Sequence, residues 1–129
     1  MRAICMDTAQ GRMLVLAGSA VDHAQLAGIF RALSQSESKT PISLGQIGLL
    51  SENSDTAISI IGSNASRGGL ALTDSEALWR LSADRMIDFA ELLLVLAVTD
   101  GPGHQYLDAD NDAMIVKASK DEYPLLPGP

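Results

Sequence analysis

Leu14-Val15-Leu16-Ala17-Gly18-Ser19-Ala20-Val21-Asp22 joins a strand pattern directly to a helix start. Its first four residues are apolar without alternation, the pattern of a strand covered on both faces. Ser19 then supplies an N-cap oxygen, and Asp22 stands three residues on, as a capping box requires. Leu26, Ile29, Phe30 and Leu33 follow at helical spacing and make one buried stripe. Strand, serine cap and helix recur at Trp79–Leu96. A shift of 63 residues places Ser19 on Ser82, Ala20 on Ala83, Leu26 on Phe89, Ala27 on Ala90 and Leu33 on Leu96. Duplication would produce that match, and so would two similarly capped amphipathic helices.

Working outward, residues 2–7 and 12–18 read as a hairpin closed by Thr8-Ala9-Gln10-Gly11. The polar run Ser34–Pro41 ends the first helix in an exposed loop. Ile42–Leu44 and Gln46–Leu50 read as strand interrupted by Gly45 and Gly48, and Thr56–Ile61 as a further strand. Leu70–Leu72 and Glu76–Leu81 form a hairpin around Thr73-Asp74-Ser75. Strand alternation sends Trp79 under the second helix and Arg80 to water. That helix starts at Ser82 and presents Met86, Phe89, Ala90, Leu93 and Ala97 on one face. Leu92, Leu94, Val95, Leu96 and Val98 widen its apolar arc, which implies cover on several sides or by a second subunit. Gly101-Pro102-Gly103 stops it. His104–Leu107 and Ala113–Ser119 then read as a hairpin over Asp108–Asp112.

The expected architecture is α+β: a mostly antiparallel sheet with two amphipathic helices packed on it, arranged as two strand–helix halves. The chain of 129 residues fits a single domain over residues 1–124, followed by a short Pro-rich tail at 125–129. Hydrophobic residues make up 47%, enough for an ordinary core, whereas aromatics make up 4%, so that core is expected to be aliphatic.

The formal net charge of -7 repels phosphate backbones and anionic lipid, which argues against nucleic acid and membrane as partners. It favours a basic protein partner. One cysteine, Cys5, excludes an internal disulfide and a Cys-based zinc site. The N-terminal stretch lacks the apolar run of a signal peptide, so the cytoplasm is the expected compartment. The apolar run Leu92–Val98 is too short to span a bilayer.

No catalytic, metal or cofactor motif is complete. Asp108-Ala109-Asp110-Asn111-Asp112 opens like a calcium loop, but Ala113 stands where glycine is needed and Ser119 where the bidentate glutamate is needed. The glycine loop at 62–69 lacks the Gly-Lys-Ser/Thr ending of a phosphate loop. His23 falls in the first turn of its helix, off the apolar stripe, and is expected in solvent. His104 would act as a base only if Cys5 or a serine approached it, and nothing in the spacing provides that.

Gly103-His104-Gln105-Tyr106-Leu107-Asp108 and Lys120-Asp121-Glu122-Tyr123-Pro124 are the most individual segments. With Trp79-Arg80-Leu81-Ser82 and Phe89-Ala90-Glu91-Leu92, they resemble small bacterial α+β proteins of the toxin-immunity type. The resemblance covers roughly residues 76–124 and implies a cytosolic, non-enzymatic, acidic inhibitor without cofactor or metal. The expected partner-binding residues are His104, Tyr106, Asp108, Asp110, Asp112, Asp121 and Glu122, facing a basic toxin domain. A dimeric ligand-binding domain, or a small enzyme using His104, are the alternatives.

Overall fold

A computed structural model describes residues 1–9, 11–36, 40–63, 69–73, 75–107 and 114–122. Eight strands and two helices are described among them: β1 (Arg2–Thr8), β2 (Gly11–Gly18), α1 (Ala20–Ser34), β3 (Ile42–Ser43), β4 (Ala57–Gly62), β5 (Gly69–Leu72), β6 (Glu76–Leu81), α2 (Ala83–Val98), β7 (Gly103–Leu107) and β8 (Met114–Lys120). The fold is α+β, as the patterning predicts. The strands form two sheets rather than one: sheet A in the order β1-β2-β8-β7 and sheet B in the order β3-β4-β6-β5. The outer pairs are antiparallel hairpin pairs. The central pairs, β2 with β8 and β4 with β6, are parallel.

This order is a ββαββ plan used twice. Moving each strand of the first half onto its counterpart in the second turns β1-β2-β8-β7 into β5-β6-β4-β3, which is sheet B. Each half therefore lends its second hairpin to the other half's first. Neither sheet is complete without both halves.

The local causes lie in the Leu14–Asp22 stretch and its counterpart. Ser19 Oγ accepts from Asp22 N at 3.3 Å, and Asp22 Oδ2 accepts from Ser19 N at 2.9 Å, closing the capping box. Gly18 permits it, because a Cβ there would lie 2.8 Å from Asp22 Oδ2. Ser82 Oγ caps α2 by accepting from Arg85 N at 3.2 Å. The last turn of α2 contains no basic residue, and β8 supplies one: buried Lys120 donates to the Thr99 carbonyl at the helix C-terminus.

One core cluster lies between the sheets and helices, drawing Leu14, Leu16, Val116 and Ala118 from sheet A and Ile58, Ile60, Trp79 and Leu81 from sheet B. Its centre is aromatic, against expectation. Phe30, Trp79 and Phe89 meet with ring centroids 5.4–5.8 Å apart, joining α1, β6 and α2. Trp79 is buried and Arg80 exposed, as alternation predicts.

Two further expectations are corrected. Gln46–Leu50 is not a strand. Gly45 and Gly48 (φ 81°) let the chain turn back, so that Leu49 N donates to Leu44 O at 3.0 Å and both leucines plug the core. His23 is not in solvent but fully buried. It precedes Leu26, Ala27 and Phe30 by three, four and seven residues, so it belongs to the buried face of α1.

Candidate interaction surface

The segment from Gly103 to Leu107 is an edge strand of sheet A, paired with β8 alone among the described strands. Alternation points His104 and Tyr106 away from the core, with Ser119 and Lys117 as their pairing partners on β8. Beyond β8, Asp121 takes a left-handed conformation (φ 56°), which its short polar side chain tolerates. The chain bends there, and Glu122 returns over the outer face. Its Oε2 accepts from His104 Nδ1 at 2.9 Å, its Oε1 accepts from Ser119 Oγ at 2.6 Å, and Lys117 Nζ lies 3.5 Å from Oε1. Tyr106 stands edge-on to His104 with ring centroids 5.3 Å apart and is 57% exposed.

Burial alone would raise the pKa of Glu122. The hydrogen bonds from Ser119 and His104, with the charge of Lys117, outweigh it and hold the carboxyl below its usual range. The structure thus brings together His104, Tyr106 and Glu122, with Asp121 as the bend that places Glu122. Asp108, Asp110 and Asp112 lie outside the described residues. The order of the bonds has a chemical consequence. Ser119 gives its proton to the carboxylate and not to the imidazole, so this is a clamped carboxylate and not an activated hydroxyl.

A surface that the apolar pattern alone would cover lies bare on α2. Ile87, Val95 and Val98 are 43%, 54% and 79% exposed, and Leu94 is half-buried between them. Ile87, Glu91, Leu94 and Val98 succeed one another at four, three and four residues, and so do Asp84, Asp88, Glu91 and Val95. The two rows share one face of the helix. Asp84, Asp88, Glu91 and, just beyond the helix, Asp100 are all exposed. An apolar lane therefore runs beside an acidic one.

A small cleft of about 240 Å³ opens where the β1–β2 and β5–β6 hairpins converge, lined by Cys5, Asp7, Arg12, Asp55, Thr56, Leu72 and Thr73. Asp55 Oδ1 accepts from Cys5 N at 2.9 Å and from Thr56 Oγ1 at 2.8 Å, which ties the segment before β4 to the free edge of β1. Burial pushes the Cys5 thiol pKa up, Arg12 pulls it back, and Asp55 and Asp7 add to the rise. Cys5 is therefore a thiol at neutral pH and not an activated nucleophile. No group of three His, Cys, Asp or Glu side chains among the described residues is placed to hold a metal ion. No helix among them is long and apolar enough to cross a membrane.

Compared with known proteins, the chain matches no family model, and no curated protein or solved structure is significantly similar to it.

Proposed function

We propose that this chain is a protein-binding domain that docks a basic partner on the outer face of α2, in the manner of an immunity-type inhibitor of a bacterial toxin. The observation that carries the reading is the exposed lane Ile87–Leu94–Val98 beside Asp84, Asp88 and Glu91. Covering an exposed valine or isoleucine gains roughly 1–2 kcal/mol each, and such anchors dominate an interface when a polar rim excludes water. The carboxylates select a partner with lysine and arginine beside its own apolar residues. The net charge of -7 speeds encounter with it. A second copy of the chain would bring acid against acid. The toxin as target, the finer part of the reading, rests on the resemblance of residues 76–124.

His104 and Tyr106 offer a smaller second contact area, exposed at the edge of sheet A. The cleft beside Cys5 favours small-ligand binding as a second reading, although its volume falls below the range of about 300–1,000 Å³ usual for such sites.

The test is titration with a basic toxin domain encoded beside this chain, which the reading expects to exist, at low and high salt. The reading predicts a one-to-one complex whose association rate falls steeply as salt rises. It fails if that protein does not bind, or if binding is indifferent to salt.

A further inference from the structure

The strand edges of this fold are not treated alike. Along β1, the segment before β4 closes the edge. Ser51 N donates to Met1 O at 2.8 Å and Asp55 N to Ala3 O at 3.0 Å, while Ser54 Oγ and Asp55 Oδ1 accept from Ala3 N and Cys5 N. In sheet B the counterpart of β7 is β3, which stops after two residues where the chain turns back. Covering an edge and cutting it short are two ways a protein refuses a further strand. β7 shows neither. It runs five residues and is paired on one side only among the described strands.

The register says which backbone groups point outward. Leu14 pairs with Val116 and Ala77 with Ile58, and the shift of 63 residues sets Leu14 on Ala77. The pair Leu107–Val116 is therefore the counterpart of Leu44–Ile58, in which Leu44 N donates to Ile58 O at 2.9 Å. Leu107 and, by alternation, Gln105 bond to β8, so the N–H and C=O groups of His104 and Tyr106 face the open edge. Nothing among the described residues bonds to them. The two side chains stand beside Glu122 on the outer face. An ionised Glu122 can only accept, so His104 Nδ1 is the donor and Nε2 of the neutral ring stays an acceptor. The Tyr106 ring offers its face to a cation. Exposed Asp100 and Asp121 lie within three residues of the Gly103–Lys120 pair, and Lys117 is already drawn to Glu122.

The geometry points to β7 as the docking edge for an extended, basic segment of a partner protein, which adds to sheet A as an antiparallel fifth strand. Its main chain bonds to His104 and Tyr106. Its residues opposite them share their face, where lysine or arginine meets His104 Nε2, the Glu122 carboxylate and the Tyr106 ring. The alternate row lies on the side where Leu96 of α2 comes within 3.4 Å of the Cβ position of Gly103, and is apolar. A second copy is the poorer occupant, because it brings a further net charge of -7. The inference does not rest on docking against α2.

Amide hydrogen exchange tests it, with a peptide of alternating lysine and valine as the probe. In the free protein the amides of His104 and Tyr106 exchange fast, and those of Gln105 and Leu107 slowly. The peptide slows His104 and Tyr106 at least about tenfold. The same peptide N-methylated at its lysines does not, nor does one of alternating glutamate and valine. Tyr106→Pro removes an outward N–H that β8 does not use, and abolishes the effect. The Val95→Asp, Val98→Asp variant keeps it, which separates this outcome from that of docking at α2. Slow exchange of His104 and Tyr106 in the free protein overturns the inference. So does the absence of slowing with the peptide, equal slowing by either control peptide, or loss of the slowing in the α2 variant. Slowing that follows protein concentration alone assigns the edge to a second copy and overturns it too. If Tyr106→Pro fails to fold, the N-methylated peptide decides.

Discussion

Acid should weaken this fold through one buried imidazole before it titrates any carboxylate. His23 Nε2 donates to the Ser119 carbonyl at 2.7 Å, joining α1 to β8, and Nδ1 is buried without a partner among the described residues. Burial disfavours the charged ring. The bond to Ser119 and the charge of Asp22 offset this only in part, so the folded-state pKa lies below its ordinary 6.5. Below about pH 6.5 the unfolded chain takes up a proton that the folded chain refuses, so stability is full above that pH and falls as pH drops toward the folded pKa. One proton is worth up to about 1.4 kcal/mol per pH unit, so the loss between about pH 7.5 and 5.5 is at most about 1.4 kcal/mol. The carboxylates with lowered pKa, Asp22 and Glu122, matter only below their ordinary 3.8 and 4.5 and leave this window clear. Urea unfolding across the window measures it. A His23→Gln variant keeps a neutral donor near Nε2 and should lose the slope at a cost of about 1 kcal/mol at neutral pH. His23→Ala orphans the Ser119 carbonyl and opens a cavity, costing about 3 kcal/mol. Stability flat across the window, or a slope unchanged in His23→Gln, would refute the reasoning.

Other expectations are simpler. Trp79→Ala, at the centre of the aromatic trio, should cost about 3–5 kcal/mol, read as a lower urea midpoint with an unchanged slope. Ser82→Ala should cost about 1 kcal/mol, and Ser82→Gly only a few tenths, in the same assay. Gly18→Ala should destabilise by pushing Asp22 out of the capping box, which circular-dichroism melting would detect. Val95→Asp with Val98→Asp, both on exposed positions, should leave stability within about 0.5 kcal/mol per site.

Much of the fold is legible because its signals are local. Ser19, Asp22 and Ser82 mark the helix starts, and Gly11 and the Gly101-Pro102-Gly103 run mark reversals. The recurrence at 63 residues also reappears as the repeated ββαββ plan. What is not legible is non-local. The parallel pairings of β2 with β8 and β4 with β6 join segments far apart in sequence, and nothing in either strand names its neighbour. His23 is misread by residue type, although its spacing to Leu26, Ala27 and Phe30 carries the correct answer. Of the candidate site, the proximity of His104 and Tyr106 follows from strand alternation. The bonds that clamp Glu122 depend on a bend at Asp121 that no sequence pattern announces. The apolar arc of α2 is visible in sequence, but which part of it stays bare is decided by α1 and the sheets.

The proposed docking of a basic partner on the outer face of α2 can be put to one test. Isothermal titration of a basic partner domain, captured by the unsubstituted protein, into that protein and into the Val95→Asp, Val98→Asp variant decides it. Tight one-to-one binding is expected, weakened at least about 100-fold in the variant by the loss of two apolar anchors worth roughly 1.5 kcal/mol each. Equal affinity for both proteins would contradict it.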